Sequence, residues 1–253
     1  MFVRALILLL LSALPLKAEE VVLGMSRDTI SITTSFDGSE LLIFGAVKRE
    51  APIPEGDELD VIIAVAGPSE PLNLRRKERK FGIWVNTDAV EIDLAPSFYA
   101  INTTKPIGDV LSDIEDLRHK VTIPRAIRSV GAPMTVMDSQ SFTEALIRIR
   151  TKNRLYQLNE GAVSFDEQTL FRTSIELPAD LTEGDYTARI FLTRSGKVVS
   201  DFETDLNVQK VGLEKFLFDL SRHQPMIYGL MSLAIAIFAG WSASAAFQLL
   251  RRQ

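Results

Sequence analysis

The chain has 253 residues, 46% of them hydrophobic, with a net charge of −5 and no cysteine. That length allows one or two domains with room for a packed core. The missing thiols exclude disulfides, thiol catalysis and cysteine-ligated zinc, and the acidic balance, with a pI near 5.2, argues against a nucleic-acid binder.

The N-terminus carries Arg4, an apolar run from Ala5 to Leu16, then Lys17, Ala18 and the acidic pair Glu19-Glu20. A basic start, a short apolar stretch and a small residue before an acidic mature end predict a signal peptide over 1–18, cleaved after Ala18. From Val21 to Val208 the pattern is mostly strand. Ile30, Ile32, Thr34 and Phe36 alternate ahead of a turn at Asp37-Gly38, and Leu41 to Val47 is a second apolar run. Val61 to Ala66 is continuously apolar and reads as a strand buried on both faces. Phe81, Ile83 and Val85 alternate again.

Next comes a predicted helical insertion over about 104–158. Ile107 to Lys120 carries Val110, Ile114, Leu117 and Val121 at helical spacing. A capping box of Ser141 and Glu144 precedes a second helix reaching about Tyr156, with Phe142, Ala145, Leu146 and Ile149 apolar. The insertion lies within one sandwich or caps its end. Phe171, Thr173, Ile175 and Leu177 then form a strand stopped by Pro178, and Tyr186, Ala188, Ile190 and Leu192 form another. After a turn at Ser195-Gly196, Val198 to Val208 alternates with Phe202 and Leu206 inward. Short alternating strands parted by turn signals predict a mainly β, immunoglobulin-like antiparallel β-sandwich over 19–210. Glu183-Gly184-Asp185-Tyr186 fits the tyrosine that fastens a corner in such sandwiches, or an ordinary core tyrosine.

Residues 211–225 form an amphipathic stem with Leu213, Phe216, Leu217 and Leu220 on one side. Met226 to Leu250 is uncharged over about 25 residues, about 37 Å as a helix, and predicts one C-terminal transmembrane helix. Tyr228 and Trp241 suit its interfacial zones, and Arg251-Arg252 in the tail 251–253 places the C-terminus in the cytoplasm and the body outside.

Few residues carry a chemical signal. Arg75, Arg76, Lys77, Arg79 and Lys80, interrupted by Glu78, make a concentrated positive patch in an acidic protein. It could dock an acidic partner or anionic lipid headgroups, or be a solvated hairpin tip whose lysines discourage edge pairing. Trp84, just beyond, is expected in the core. Ser232, Ala236, Gly240 and Ser244 recur every four residues, a stripe on which another membrane helix could dock. His119 with Asp109, Asp113 and Asp116 is the best acid–base cluster, Asp116 and His119 being able to face each other on a helix. No nucleophile elbow, metal-ligand spacing or calcium loop accompanies it, so no catalytic, cofactor or metal site is expected and the chain reads as a non-enzyme.

Several pieces taken in order resemble the Alph_Pro_TM family of alphaproteobacterial transmembrane proteins. They are Phe36-Asp37-Gly38, Phe44-Gly45-Ala46, Gly67-Pro68 with Arg75-Arg76-Lys77, Gly82-Ile83-Trp84-Val85-Asn86 and Pro96-Ser97-Phe98-Tyr99. Leu170-Phe171, Gly184-Asp185-Tyr186, Tyr228-Gly229 and Gly240-Trp241 follow. The resemblance covers nearly the whole mature chain and implies a bacterial inner-membrane, single-pass protein facing the periplasm. It supplies no established activity and no catalytic residue. An association with sulfite-exporter-type permeases implies an accessory role in transport. In that setting Asn102-Thr103-Thr104, a glycosylation acceptor by pattern, carries no weight. The expectation is a periplasmic accessory or binding protein of an inner-membrane complex, held by the lipid bilayer and by a membrane-protein partner. An envelope-structural or adhesion-like module and a membrane-tethered enzyme are the alternatives.

Overall fold

A computed structural model describes residues 19–26, 29–32, 38–49, 58–129, 138–211 and 213–251. The predicted signal peptide, its cleavage site, Thr34, Phe36, Asp37 and Arg252 lie outside the described residues. The protein is mainly β. Its strands are β1 (Glu19–Met25), β2 (Thr29–Ile32), β3 (Ser39–Arg49), β4 (Leu59–Ala66), β5 (Ser69–Lys80), β6 (Ile83–Pro96), β7 (Tyr99–Thr103), β8 (Tyr156–Asn159), β9 (Ser164–Asp166), β10 (Leu170–Leu177), β11 (Gly184–Arg194) and β12 (Lys197–Lys210). The helices are α1 (Ile107–Val110), α2 (Asp113–His119), α3 (Ile123–Ala126), α4 (Ser139–Lys152), α5 (Leu213–His223) and α6 (Pro225–Arg251). Two compact units divide the chain, Met1–Ile30 with Asp37–Val208, and Ser31–Phe36 with Gln209–Gln253.

Among the described residues there are three sheets: a four-stranded one ordered β1-β3-β10-β9, a six-stranded one ordered β2-β12-β11-β4-β7-β8, and the hairpin β5-β6. The continuous apolar run of β4 predicted burial on both faces, and every residue but the last is buried. One face of the six-stranded sheet puts Ile63 opposite Ile190 and Asn102, in register. Asn102 on that face reaches across to the four-stranded sheet, donating to Thr173 Oγ1 (2.6 Å) and the Ser174 carbonyl (2.9 Å). The opposite face carries Ile62, Ala64, Tyr99, Ile101 and Phe191, packed in one cluster with Val110, Val121, Phe142 and Leu146 of the helical segment. The insertion therefore covers one face of the larger sheet.

The expectation of a wholly antiparallel sandwich is corrected at one pair, since β7 and β8 run parallel. Parallel neighbours need a long crossover, and α1 to α4 supply it. The expected single helix from Ile107 to Lys120 is two. Leu111 is extended (φ −138°), and Ser112 caps α2 through Glu115 N–H while donating its own N–H to the Gly196 carbonyl at 2.9 Å. That break rotates the predicted stripe apart: Val110 and Val121 are buried, Ile114 and Leu117 exposed. α4 begins at Ser139 without the predicted capping box, because Ser141 Oγ donates to the Asp138 carbonyl and Glu144 accepts from Gln140. It ends at Lys152, so Tyr156 is a strand residue. Phe202, expected inward, is exposed, whereas Leu206 is buried.

In the second unit, Val211 N–H donates to the Ile32 carbonyl at 2.8 Å. α5 and α6 follow, parted by Gln224, with bonds from Gln224 N–H to the Leu220 carbonyl and from Tyr228 N–H to the Gln224 carbonyl. Within α6, Pro225–Ser244 is long and apolar enough to cross a membrane, as predicted.

Candidate interaction surface

β5 and β6 form a two-stranded ribbon, tied at its base by an isolated antiparallel bridge between Leu94 and Arg128. Val90 and Ile92 root the ribbon in the core, with Leu72 and Leu74 packed beside them. Arg76 braces it against α4: its guanidinium donates to Ser141 Oγ (2.6 Å), pairs with Asp138 (3.3 Å) and Asp88 (3.8 Å), and lies 4.7 Å from the centre of the Phe142 ring. Above Arg76 the ladder shifts register, then pairs Lys77 with Asn86, Glu78 with Val85, Arg79 with Trp84 and Lys80 with Ile83. Directly paired residues share a face, so Trp84 stands beside Arg79, and Ile83 beside Lys80.

The turn is two residues, Phe81 (φ +51°) and Gly82 (φ +86°). Such turns match the twist of the flanking strands and favour Asn, Asp or Gly, because a side chain at positive φ costs about 1 kcal/mol. Phe81 is nevertheless there, fully exposed, and Ile83 and Trp84 keep 65% and 68% of their surface in solvent. Two expectations are corrected here. Trp84 is not a core residue, and Phe81 is a turn residue and not a strand residue. A strand tryptophan packs only where a second layer covers its face, and at this height Trp84 remains largely in solvent. Of the five predicted basic residues, Arg75, Lys77, Arg79 and Lys80 are exposed, and Arg76 is the brace. Lys80 also lies 3.9 Å from Glu78.

The predicted docking stripe of Ser232, Ala236, Gly240 and Ser244 falls on α6 and is exposed. Ser232 Oγ donates to the Tyr228 carbonyl (2.9 Å), so its hydroxyl is satisfied within the helix. A side chain added at Gly240 would meet nothing within 4 Å.

The His119 cluster does not assemble as predicted. His119 Nε2 pairs with Glu115 (3.4 Å), one turn back, and its ring meets Phe191 edge-on at 5.6 Å. Asp116 turns the other way, accepting from Val121 N–H, Thr122 N–H and Thr122 Oγ1 at 2.7–3.0 Å and closing the chain after α2. Arg189, which no sequence signal marked, donates to the carbonyls of His119 (2.9 Å) and Lys120 (3.2 Å) and to Tyr99 Oη (2.9 Å). Its alternation with Tyr186, Ala188 and Ile190, in line with Asp185 and Thr187, marks only that it lies on the other face of β11. Burial pushes the Tyr99 phenol up, against the opposing pull of Arg189. Among the described residues no group of His, Asp and Glu could hold a metal. An open depression of about 350 Å³ lined by Glu58, Asp60, Thr104, Lys105 and Gln168 has its lysine engaged by Glu58 (2.9 Å) and Asp60 (3.2 Å).

Pieces quoted for the family resemblance meet at one corner. Tyr186 Oη donates to the Thr182 carbonyl (2.8 Å), and its ring lies so close to Gly67 that a side chain there would touch it at 2.9 Å. Pro68 abuts Gly184, the Ser97 N–H bonds the Pro68 carbonyl, and Phe98 packs 6.1 Å from Tyr186. Burial pushes the Tyr186 phenol up to about 12. The nearby Tyr156, whose hydroxyl donates to the Pro96 carbonyl (2.9 Å), is likewise pushed up to about 12 by burial, despite Arg150 beside it.

The model of the family described as "Putative transmembrane protein (Alph_Pro_TM)" matches residues 20–249. No curated protein matches the chain. Among solved structures it is similar to Spo0M, a sporulation control protein from Bacillus subtilis, at 11% identity and a TM-score of 0.29. That likeness covers 81% of this chain and 55% of the Spo0M chain, and at such a score it carries no argument.

Proposed function

The chain belongs to the Alph_Pro_TM family of transmembrane proteins, and from that premise we propose that it is a membrane-anchored, non-enzymatic accessory protein of an inner-membrane complex, its β body in the periplasm. The observation that carries this reading is the apolar span Pro225–Ser244 following a β-rich body that holds an exposed basic and aromatic tip. In this reading residues 1–18 are a cleaved signal peptide, and Arg251-Arg252 remains cytoplasmic. The membrane helix docks on a partner helix through Ser232, Ala236, Gly240 and Ser244, where small side chains permit close approach. The tip of the β5–β6 hairpin is the body's contact surface. A permease of the sulfite-exporter type is the first partner to test. The body is read as an immunoglobulin-like sandwich, and the bond from Tyr186 Oη to the Thr182 carbonyl, four residues upstream, supports that. The non-enzymatic part is supported by how the one candidate histidine is used: among the described residues the His119 side chain meets Glu115 and the Phe191 ring.

The test is affinity purification of the tagged full-length protein from native membranes in mild detergent, with mass spectrometry of what accompanies it. A stoichiometric membrane protein is expected, lost when residues 226–250 are replaced by an unrelated anchor and lost in Gly240→Leu with the body still folded. If Gly240→Leu retains the partner as well as the natural chain, the docking stripe is wrong. No partner at all would sink the accessory reading, and retention on cell-wall material instead would favour an adhesion-like module.

A further inference from the structure

The tip of the β5–β6 hairpin departs from what a solvated turn requires. Lysines suffice to keep a ribbon edge from pairing with another chain. They do not call for Phe81, Ile83 and Trp84 to stand in water beside them. Phe81 also occupies a positive-φ position that Asn or Gly would fill without strain. Its ring is fully exposed, so no packing within the fold offsets that strain. Strain retained without an internal return marks a side chain kept for what it meets outside.

The chemistry around the tip says what that is. An aromatic and aliphatic point flanked by Lys77, Arg79 and Lys80 matches the bilayer interface, where Trp and Phe sit at headgroup depth and basic residues meet phosphate. The charge is complementary to anionic lipid although the chain as a whole is acidic. A two-residue turn and its flanks present far less than the ~800 Å² per partner of a stable protein–protein contact. On a lipid surface a small contact suffices, because α6 already holds the body at the membrane and makes the second contact intramolecular.

We propose that the Phe81–Trp84 tip is a second membrane contact, inserting into the headgroup layer of the bilayer that anchors the chain while the surrounding cations bind anionic lipid phosphates. This rests on the reading of the tip as the body's contact surface, and it names the partner as lipid.

Trp84 and Trp241 are the only tryptophans, so Trp241→Phe leaves Trp84 as sole reporter in the full-length chain. The protein is reconstituted into vesicles of phosphatidylcholine alone or mixed equally with phosphatidylglycerol, each with and without brominated acyl chains. The expected result is blue-shifted Trp84 emission and at least twofold stronger bromine quenching in the anionic vesicles. Phe81→Asn in the same background should lose most of that quenching with no fall in thermal midpoint, since Asn suits the turn. Equal quenching in both lipids overturns the headgroup assignment. Unshifted, unquenched Trp84 in both overturns the insertion. Protection of Trp84 only in native membranes assigns the tip to a protein instead. No permease is present in these vesicles, so failure here and failure of the co-purification are separate results.

Discussion

Asn102 has 0% of its surface exposed and uses both ends of its amide. Nδ2 donates to Thr173 Oγ1 and to the Ser174 carbonyl, and Oδ1 accepts from Asn159 Nδ2 at 2.9 Å. A buried amide that uses both its ends ties two sheets in one relative position, and removing it strips Thr173, Ser174 and Asn159 each of one bond at a largely buried site. Asn102→Leu, close in volume, should destabilise the body by about 2–4 kcal/mol, read as a lowered denaturant midpoint of the full chain in detergent; an unchanged midpoint would mean that the bonds are dispensable. The sequence marks this residue only as part of Asn102-Thr103-Thr104. Its partner Thr173 is 71 positions away, and no local pattern encodes such a pairing. Tyr186 was legible for the opposite reason: its bond to the Thr182 carbonyl is local, and the run ahead of it is a turn signal.

At the scale of elements, strands were read where alternation and burial agree. β4, β10 and β11 lie where their apolar periods put them. The errors fall where a second layer decides the outcome. Ile114 and Leu117 have helical spacing, but α2 is reset by Ser112, so they face outward. Trp84 has strand spacing, yet its strand runs beyond the packed part of the ribbon. The basic run was legible as a patch, but not that Arg76 leaves it to grip α4. Arg76→Ala should loosen that grip. We expect faster amide hydrogen exchange in the first turn of α4 and in the lower half of β5, with global stability reduced by about 1 kcal/mol. Unchanged exchange in α4 would mean that Phe142 alone holds the two elements together.

For the molecule as a whole, three tyrosines set its alkaline limit. Burial holds Tyr99, Tyr156 and Tyr186 protonated, the last two up to about 12 against an ordinary 10.0. A phenol whose folded value lies above its unfolded one stabilises fully below the unfolded value, and that contribution is lost as pH rises through the folded one. Stability should therefore hold up to about pH 10 and fall steeply from there to about 12. Tyrosinate absorbance and far-ultraviolet circular dichroism should change together, in a Tyr228→Phe chain that removes the membrane helix's own tyrosine. Tyrosinate formed at ordinary pH with the dichroism intact would contradict the burial described.

The six-stranded sheet has β2 and β12 as neighbours, one from each end of the body, and although β5–β6 and β11–β12 are local hairpins, β3 with β10 and β4 with β11 are also remote in sequence. Such a chain has high contact order, and high contact order makes folding slow. Synthesised N-terminus first, the early strands must wait with open edges until β12 is made, and the next residues belong to α5 and α6. Completion of the body and synthesis of the membrane-spanning helix are thus nearly one event, and until then the unfinished strands keep their edges open to other chains.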